Sequence, residues 1–243
     1  MPDKGVEAPS RNSRRDPELT QREILDAATE EFAEHGPKGA RTEGIAERTN
    51  TSKRMIFYYF GSKEGLYRAV LRENYKRIRS LEASLSLDGL PPAQAMRELI
   101  RASQAYYEDN PGMARIVAME NLIMHGATAR TIEDLKEMNR SAIDTIESIL
   151  VRGQRDGSFR SGPGAPSALD VHQVMWALIL NRIEHQWTFK IVFGRDMLGA
   201  DEGPHVRRLV EDTVMRLVLV APETEDVDAE GEGLRASIGA LSR

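Results

Sequence analysis

The stretch that decides the fold is GPKGARTEGIAERTNTSKRMIFYYFGSKEGL, residues 36–66. It holds two short segments of helical character, residues 42–48 and 53–60, on either side of a polar turn at residues 49–52. The first segment has Ile and Ala on its apolar side, and the second is rich in aromatic residues. Two brief helices joined by a tight turn predict a helix-turn-helix.

Capping residues set the expected limits of these short helices. Thr42 is placed to cap the first, Ser52 the second and Ser62 the helix that follows, because each hydroxyl can accept a hydrogen bond from an unpaired N–H of the first turn. Asn50 suits the turn because it tolerates a positive φ better than other side chains. The sequence therefore predicts separate helices within residues 42–66.

The flanking sequence predicts a helix on each side. Thr20 and Glu23 have the spacing of a capping box, so we expect the first helix to start there and to end at residues 35–37, His-Gly-Pro. From Lys63 the apolar spacing supports a helix of some 22 residues, or about 33 Å, ending near residue 87. A helix of that length can link two domains.

The charge distribution favours a nucleic-acid partner despite a net charge of -5. Binding follows the local field and not the sum. The stretch from residue 48 to 79 has only Glu64 and Glu73 as acids, while the acidic excess lies after residue 88. Its basic residues are Arg48, Lys53, Arg54, Lys63, Arg68, Arg72, Lys76, Arg77 and Arg79.

The rest of the chain is helical in pattern, with no convincing strand of alternating polarity. A Gly-Leu-Pro-Pro sequence at residues 89–92 marks the best domain boundary. The predicted fold class is all-α, with about nine helices in total. After the boundary we expect helices at 92–108, 112–125, 129–156, 167–193 and 203–220.

Residues 20–70 resemble the TetR family of bacterial transcription regulators, and their spacing is specific. The sequence departs from the usual pattern at Thr49-Asn50, where a small residue and Gly are common, at Lys53-Arg54, and at Phe57, where Tyr is common. These departures leave the operator sequence open. The resemblance depends on Gly39, Thr42, Ile45, Ala46, Ser52, Ile56, Tyr58, Phe60, Ser62, Lys63, Glu64 and Leu66.

The resemblance implies two domains, and the composition predicts two flexible ends. Residues 17–65 form the expected DNA-binding helix-turn-helix domain, with a linking helix at 63–87, and residues 88–221 form the effector-binding and dimerisation domain. Residues 222–243 are an acidic tail of disordered composition. Residues 1–16 are either a disordered arm or, through Arg11, Arg14 and Arg15, an arm that follows DNA.

The second short helix is the expected recognition helix in a major groove about 12 Å wide. Arg54 can contact guanine through two hydrogen bonds, and Met55 can touch a thymine methyl group. Alternatively, one of Tyr58 and Tyr59 is partly structural. The full predicted set is Thr42, Thr51, Ser52, Lys53, Arg54 and Met55 near bases or phosphates, with Tyr58, Tyr59 and Lys63 as backbone anchors.

Other residues of the same stretch are assigned to the core of the small domain. Their apolar character and helical spacing need no contact with DNA. They are Ile45, Ala46, Ile56, Phe57, Phe60 and Leu66.

Two apolar stripes in the last long helices must be buried. They serve either the core of one chain or, as the family resemblance implies, a four-helix interface between two copies. A two-fold dimer would present both recognition helices to a pseudo-palindromic site. The predicted interface residues are Met175, Ile179, Ile183, Trp187, Val206, Leu209, Val210, Thr213 and Leu217.

The family resemblance also implies a cavity for a small-molecule effector of unknown identity. Many of the candidate residues serve as ordinary core in the alternative interpretation, because Met and aromatic side chains at helical spacing usually pack. The polar candidates are the better ones, because burial without a partner is costly. The candidates are Tyr106, Tyr107, Met119, Glu120, Met124, His125, Trp176, Asn181, Glu184 and His185.

The sequence favours a cytoplasmic location. The resemblance implies a dimeric repressor that an effector releases from its operator, with residues 66–85 as the lever. The alternative is an architectural or effector-independent DNA-binding protein. We expect no enzyme, because there is no phosphate-binding Gly loop or nucleophile elbow, and no other cofactor or membrane contact. No metal is expected, since His125, His172 and His185 form no local ligand pair.

Overall fold

The computed structural model describes residues 16–220. The predicted arm at 1–16, apart from Asp16, lies outside the described residues, and so does the predicted tail at 222–243. The described part is all-helical, with one 3-10 turn (Ala129–Thr131). Its helices are α1 (Pro17–Gly39), α2 (Thr42–Arg48), α3 (Lys53–Phe60), α4 (Lys63–Ser84), α5 (Pro92–Asp109), α6 (Pro111–Leu122), α7 (Leu135–Arg155), α8 (Ala168–Glu184), α9 (Gln186–Phe193) and α10 (Gly203–Val218).

Helix α1 starts earlier than its sequence pattern predicts. Asp16 is the N-cap and accepts a hydrogen bond from the backbone N–H of Glu18 at 2.9 Å. The predicted capping box at Thr20 and Glu23 is wrong, because the Thr20 hydroxyl donates to the Asp16 carbonyl from inside the helix. Gly36 has a φ of +72° and kinks the chain, as expected, although one more helical turn follows.

The caps of the next helices agree with the sequence in two cases of three. The side chains of Ser52 and Ser62 accept from Met55 N at 3.2 Å and from Gly65 N at 2.9 Å. Thr42 is not a cap: α2 is preceded by Arg41, which makes no side-chain capping bond, and Thr42 is buried in the first turn. Asn50 has the predicted positive φ, at 49°.

The second half has one helix more than the pattern suggested. The predicted helix 167–193 divides at His185 into α8 and α9. The predicted helix 129–156 begins with the 3-10 turn and becomes an α-helix only at Leu135. The total among the described residues is ten α-helices instead of about nine, because periodicity does not locate a break between two apolar segments.

Two hydrophobic cores lie along the molecule. The larger is built from α4, α5, α7, α8 and α10. The smaller is the core of residues 17–71, and it also takes in Ile116 from α6 and Ile132. Because α6 supplies part of that core, the small N-terminal domain is seated directly on the C-terminal domain.

No helix within residues 16–220 is both long and apolar enough to cross a membrane.

Candidate nucleic-acid interface

Helix α3 has one buried and one exposed side. Ile56 is fully buried and fixes the helix to the small core, while the Tyr58 side chain is 76% exposed and Met55 is 36% exposed. Arg54 is also exposed at the N-terminal end of the helix. The residues predicted to contact DNA on α3 therefore point outward from a rigidly seated helix, as major-groove reading requires.

A buried carboxylate that the sequence analysis missed positions α2. Glu31 of α1 is only 4% exposed, and its Oε1 accepts from the backbone N–H of Arg41 at 2.9 Å. Arg48, at the other end of α2, lies 3.4 Å from Glu31 Oε2. One side chain thus ties both ends of α2 to α1. The burial of Glu31 could have been predicted from the sequence, since Glu31 lies between the core residues Ala28 and Phe32 in a helical pattern.

The junction of α3 and α4 depends on close backbone contact. A Cβ atom on Gly65 would lie 2.1 Å from the carbonyl oxygen of Phe60, so a larger residue there would force the two helices apart. Gly61 has a φ of +75°, which favours glycine. This tight turn sets the angle between the recognition helix and the long α4.

Lys63 has a structural contact that the sequence did not suggest. Its ammonium donates to the carbonyl oxygens of Lys38 at 3.0 Å and Ala40 at 3.3 Å. These are carbonyls at the end of α1, so Lys63 joins α4 to α1. Its predicted role as a phosphate anchor stays a prediction, and in the structure its charge already has partners.

Lys53, the first residue of α3, is held by an acid on α2. Its ammonium lies 2.5 Å from Glu43 Oε1 and 5.8 Å from the centroid of the Phe57 ring. The hydrogen bond from Lys53 lowers the pKa of Glu43 to about 2. This exposed pair orients Lys53 across the turn and neutralises its charge.

The cationic stretch is less positive than its sequence suggests. Arg48 faces Glu30 and Glu31, and Arg79 is buried. A count of charges along a chain misses acids that folding brings from other helices. Ion pairs to such acids are Lys53 to Glu43, Arg72 to Asp134 and Arg77 to Asp26.

The other residues predicted to contact DNA or to form the core of the helix-turn-helix differ in exposure. Thr42 is 5% exposed, which limits any contact of its hydroxyl with DNA. Thr51 and Tyr59 are half-buried and Ser52 is exposed, with its hydroxyl used as a cap. Tyr59 and Tyr58 meet edge to face with centroids 5.3 Å apart. Of the predicted core, Ile45, Ala46, Ile56 and Leu66 are buried, and Phe57 and Phe60 are half-buried.

The effector candidates do not form one group. Tyr106, Tyr107 and Trp176 come together, with ring centroids of neighbours 5.2–5.4 Å apart. Met119 instead lies against Gly36, at the contact between the domains. Met124 is half-buried just after α6, and His125 is exposed beside it with a φ of +51°.

The polar effector candidates are mostly not buried inside the bundle. Asn181, Glu184 and His185 are exposed, so the expectation that they are buried polar groups is wrong. Glu120 is buried, but its Oε1 accepts from the backbone N–H groups of Thr128 and Ala129 at 2.7 and 2.9 Å. That carboxylate therefore holds the turn after α6.

Three of the interior polar residues that the sequence analysis missed lie on α4. Asn74 and Glu82 occupy the same helical face as the core residue Ile78, and Arg79 is buried beside them. Their burial could have been predicted from the sequence, because these polar residues occupy positions where the 3.6-residue spacing calls for apolar ones. A cleft of about 740 Å³ between α1, α4, α5 and α6 is lined by Asn74 and Tyr106, among others.

The predicted dimer stripe is partly wrong. Five of its residues are 1–5% exposed within one chain and belong to that chain's own core, so they are not available to a partner: Met175, Ile179, Ile183, Val206 and Val210. Thr213 is exposed and Leu217 half-buried. Exposed apolar side chains do lie on the outer faces of α8, α9 and α10, and they are Leu169, Trp187, Ile191, Val192, Phe193 and Leu209, with Val220 just after α10.

Two family profiles match the chain, one in each half. "Bacterial regulatory proteins, tetR family" matches residues 24–70, which hold the helix-turn-helix and the start of α4. "Tetracyclin repressor-like, C-terminal domain" matches residues 92–214, which is half of the chain. The chain belongs to the TetR family of DNA-binding transcription regulators, as the sequence predicted.

Curated relatives and solved structures agree with this assignment. The repressor NicS of Pseudomonas putida is 39% identical over 141 residues, which are 58% of this chain and 66% of NicS, less than two thirds. The repressor SCO4008 of Streptomyces coelicolor is 29% identical over 77% of this chain and 90% of its own length. A tetR-family protein of Rhodococcus shares the fold with a TM-score of 0.63, at 18% identity, over 84% of this chain and 98% of that one.

Proposed function

We propose that this protein is a dimeric transcriptional repressor of the bacterial cytoplasm, without enzymatic activity, that leaves its operator when a small molecule binds the C-terminal domain. The observation that carries the proposal is the exposed N-terminal face of α3, with Arg54, Met55 and Tyr58 outward and Ile56 buried beneath them. Relatives named as repressors support repression over activation.

DNA recognition is tested by separating base contact from charge. A preferred duplex is first selected from a random library with the full chain, and a scrambled duplex serves as the comparison. We expect Arg54→Ala to weaken binding to the preferred duplex by about 1–3 kcal/mol with little change on the scrambled one. Fluorescence anisotropy titrations measure both, and Arg140→Ala, an exposed residue on α7, is the control. Equal losses on both duplexes would remove Arg54 from base reading.

The dimer is supported by the exposed apolar side chains of the last three helices. Leu209 is 50% exposed on α10 and Leu169 is 62% exposed on α8, while Trp187 is 60% exposed on α9. Apolar area of this kind on neighbouring helices marks an association surface. A second copy placed by two-fold symmetry would cover it and set two heads about 34 Å apart, or a multiple of that.

Analytical ultracentrifugation tests the assembly. We expect twice the chain mass of 27.2 kDa at micromolar concentration, and a shift toward the monomer for Leu209→Glu. Arg140→Glu, on another face, controls for the added charge. A monomeric wild type would contradict the two-headed mechanism, whereas a dimer whose DNA affinity ignores every small molecule would favour an effector-independent regulator.

A further inference from the structure

The interior of the C-terminal domain contains a cation without a full set of partners. Arg79 of α4 is 6% exposed, and its Nη2 lies 3.0 Å from Glu82 Oε1 in an ion pair. Within residues 16–220, neither Nε nor Nη1 nor Nη2 of Arg79 has a hydrogen bond of good geometry. A guanidinium has five N–H groups, and burial of a charge without hydrogen bonds is costly.

A second buried arginine has a more complete set of partners, and among the described residues its Nε alone has no hydrogen bond. Arg182 of α8 is 3% exposed. Its Nη1 donates to Gln104 Oε1 at 2.8 Å and its Nη2 to the Met197 carbonyl at 3.2 Å. Glu108 Oε1 adds an ion pair at 2.8 Å. Arg182 therefore serves the core, whereas Arg79 retains unused donors.

Aromatic residues lie near Arg79, whose charge acts on the pKa of Tyr107 and of His172. The rings of His172 and Trp176 are stacked 5.4 Å apart, and Trp176 meets Tyr107 edge to face at 5.2 Å. Burial lowers the pKa of His172 to about 4, and the charge of Arg79 adds to that effect, so the imidazole is neutral near pH 7. The Tyr107 hydroxyl, also buried, has no partner within the described residues.

Two depressions approach this cluster from the surface. The cleft of about 740 Å³ ends at Asn74, whose Nδ2 is buried without a partner in the described part of the chain, and at Tyr106, the neighbour of Tyr107. Arg79 itself lines a groove of about 480 Å³ between α4 and α7. Arg79 is therefore a lining residue of a surface groove as well as a residue of the buried cluster.

We propose that Arg79 anchors the effector and that the effector is an aromatic carboxylate, held by its two oxygens on the guanidinium and by its ring against Tyr107 and Trp176. The inference rests on the proposed function, which supplies the effector. A planar carboxylate matches the guanidinium in geometry and charge. The Glu82 carboxylate makes the ion pair with Arg79 that such a ligand would replace, and burial raises the pKa of Glu82 to about 7, so a part of Glu82 is uncharged at neutral pH.

The test uses the full chain, the selected duplex and matched pairs of probes. Benzoate, 2-naphthoate and phenylacetate are each compared with the corresponding amide, which has the same ring and no charge. We expect at least one acid to lower DNA affinity about tenfold or more and to raise Tm, while its amide does neither. An acid and amide of equal effect, or no effect of any acid, would overturn the proposal.

Three variants test the anchor. Arg79→Met should abolish the response to the acid while the affinity for the duplex without ligand stays within about threefold of wild type. Arg79→Lys keeps the charge but loses the planar guanidinium, and should weaken the binding of the acid about tenfold. Glu82→Gln releases the guanidinium and should bind the acid more tightly, so a loss of response in this variant contradicts the proposal even if Arg79→Met fails to fold.

The controls separate this inference from the proposed function. Arg140→Met, on the exposed side of α7, should respond to the acid as wild type does. If a ligand of another class releases the duplex and Arg79→Met does not change that response, the repressor function stands and the assignment of Arg79 fails. If the full chain selects no duplex at all, the proposed function fails first.

Discussion

Glu31 of the N-terminal domain and Arg79 of the C-terminal domain are buried charges with different sets of partners. In the N-terminal domain, Glu31 accepts a backbone hydrogen bond from Arg41 and faces Arg48, so its charge contributes to the placement of α2. In the C-terminal domain, Arg79 is similarly buried and, within residues 16–220, has Glu82 as its one ion-pair partner. The difference teaches that burial of a charge is a structural feature where partners are complete and a candidate binding site where they are not.

The largest expected effect comes from removing both charges of the C-terminal pair. Because two buried charges with incomplete hydrogen bonds lose more solvation than they recover, Arg79→Met with Glu82→Leu should stabilise the protein by about 1–4 kcal/mol. Urea unfolding monitored by circular dichroism measures the change, and Arg79→Met alone, which leaves Glu82 unpaired, should be less stable than the double variant. A double variant that loses stability would show that the pair is structural.

A smaller effect of the opposite sign, a loss of stability, is expected in the N-terminal domain. Glu31→Ala leaves the Arg41 N–H without its acceptor and Arg48 without its buried partner, so the free energy of unfolding should fall by about 1.5–3 kcal/mol. Glu30→Ala is the matched control, because the Glu30 side chain is 75% exposed and only 3.5 Å from the same Arg48. The comparison of the two domains holds only if Glu31→Ala lowers the free energy of unfolding clearly more than Glu30→Ala does.

The smallest expected effect concerns an exposed charge. Glu43→Gln removes the partner of Lys53, and the freed ammonium should raise affinity for DNA of any sequence by about two- to fivefold, with a salt dependence steeper by about one ion. Lys53 keeps the pKa of Glu43 near 2, so lowering the pH in the ordinary range does not substitute for the variant. Titrations at several salt concentrations measure the slope, and an unchanged slope would show that Lys53 does not meet phosphate.

Much of the N-terminal domain could be predicted because its determinants are local. Ser52 and Ser62 are caps in the sequence and in the structure, and Asn50 has the positive φ that its type allows. Each of these depends on residues within one turn of the helix. The errors at Thr20 and Thr42 are also local, because several residues near a helix start are able to cap and sequence does not choose among them.

The C-terminal domain was predicted only in outline, because its sites depend on which helices meet. Periodicity located the apolar faces of α8 and α10 but could not tell whether those faces meet each other or a second chain. Met175 and Val210 proved to be core, while Trp187 and Leu209 are exposed. Arg79 was counted as part of a cationic surface, although folding places it inside the bundle.

The sequence by itself determined the helical class, the helix-turn-helix and the family, since spacing and capping act between residues close along the chain. The tertiary structure alone decided which charges form ion pairs and which apolar residues stay exposed. It also decided which buried cation of the described residues has N–H groups without hydrogen bonds. Those properties depend on distances between helices far apart in sequence, as for Arg72 and Asp134 or Arg182 and Gln104. No local pattern encodes such distances.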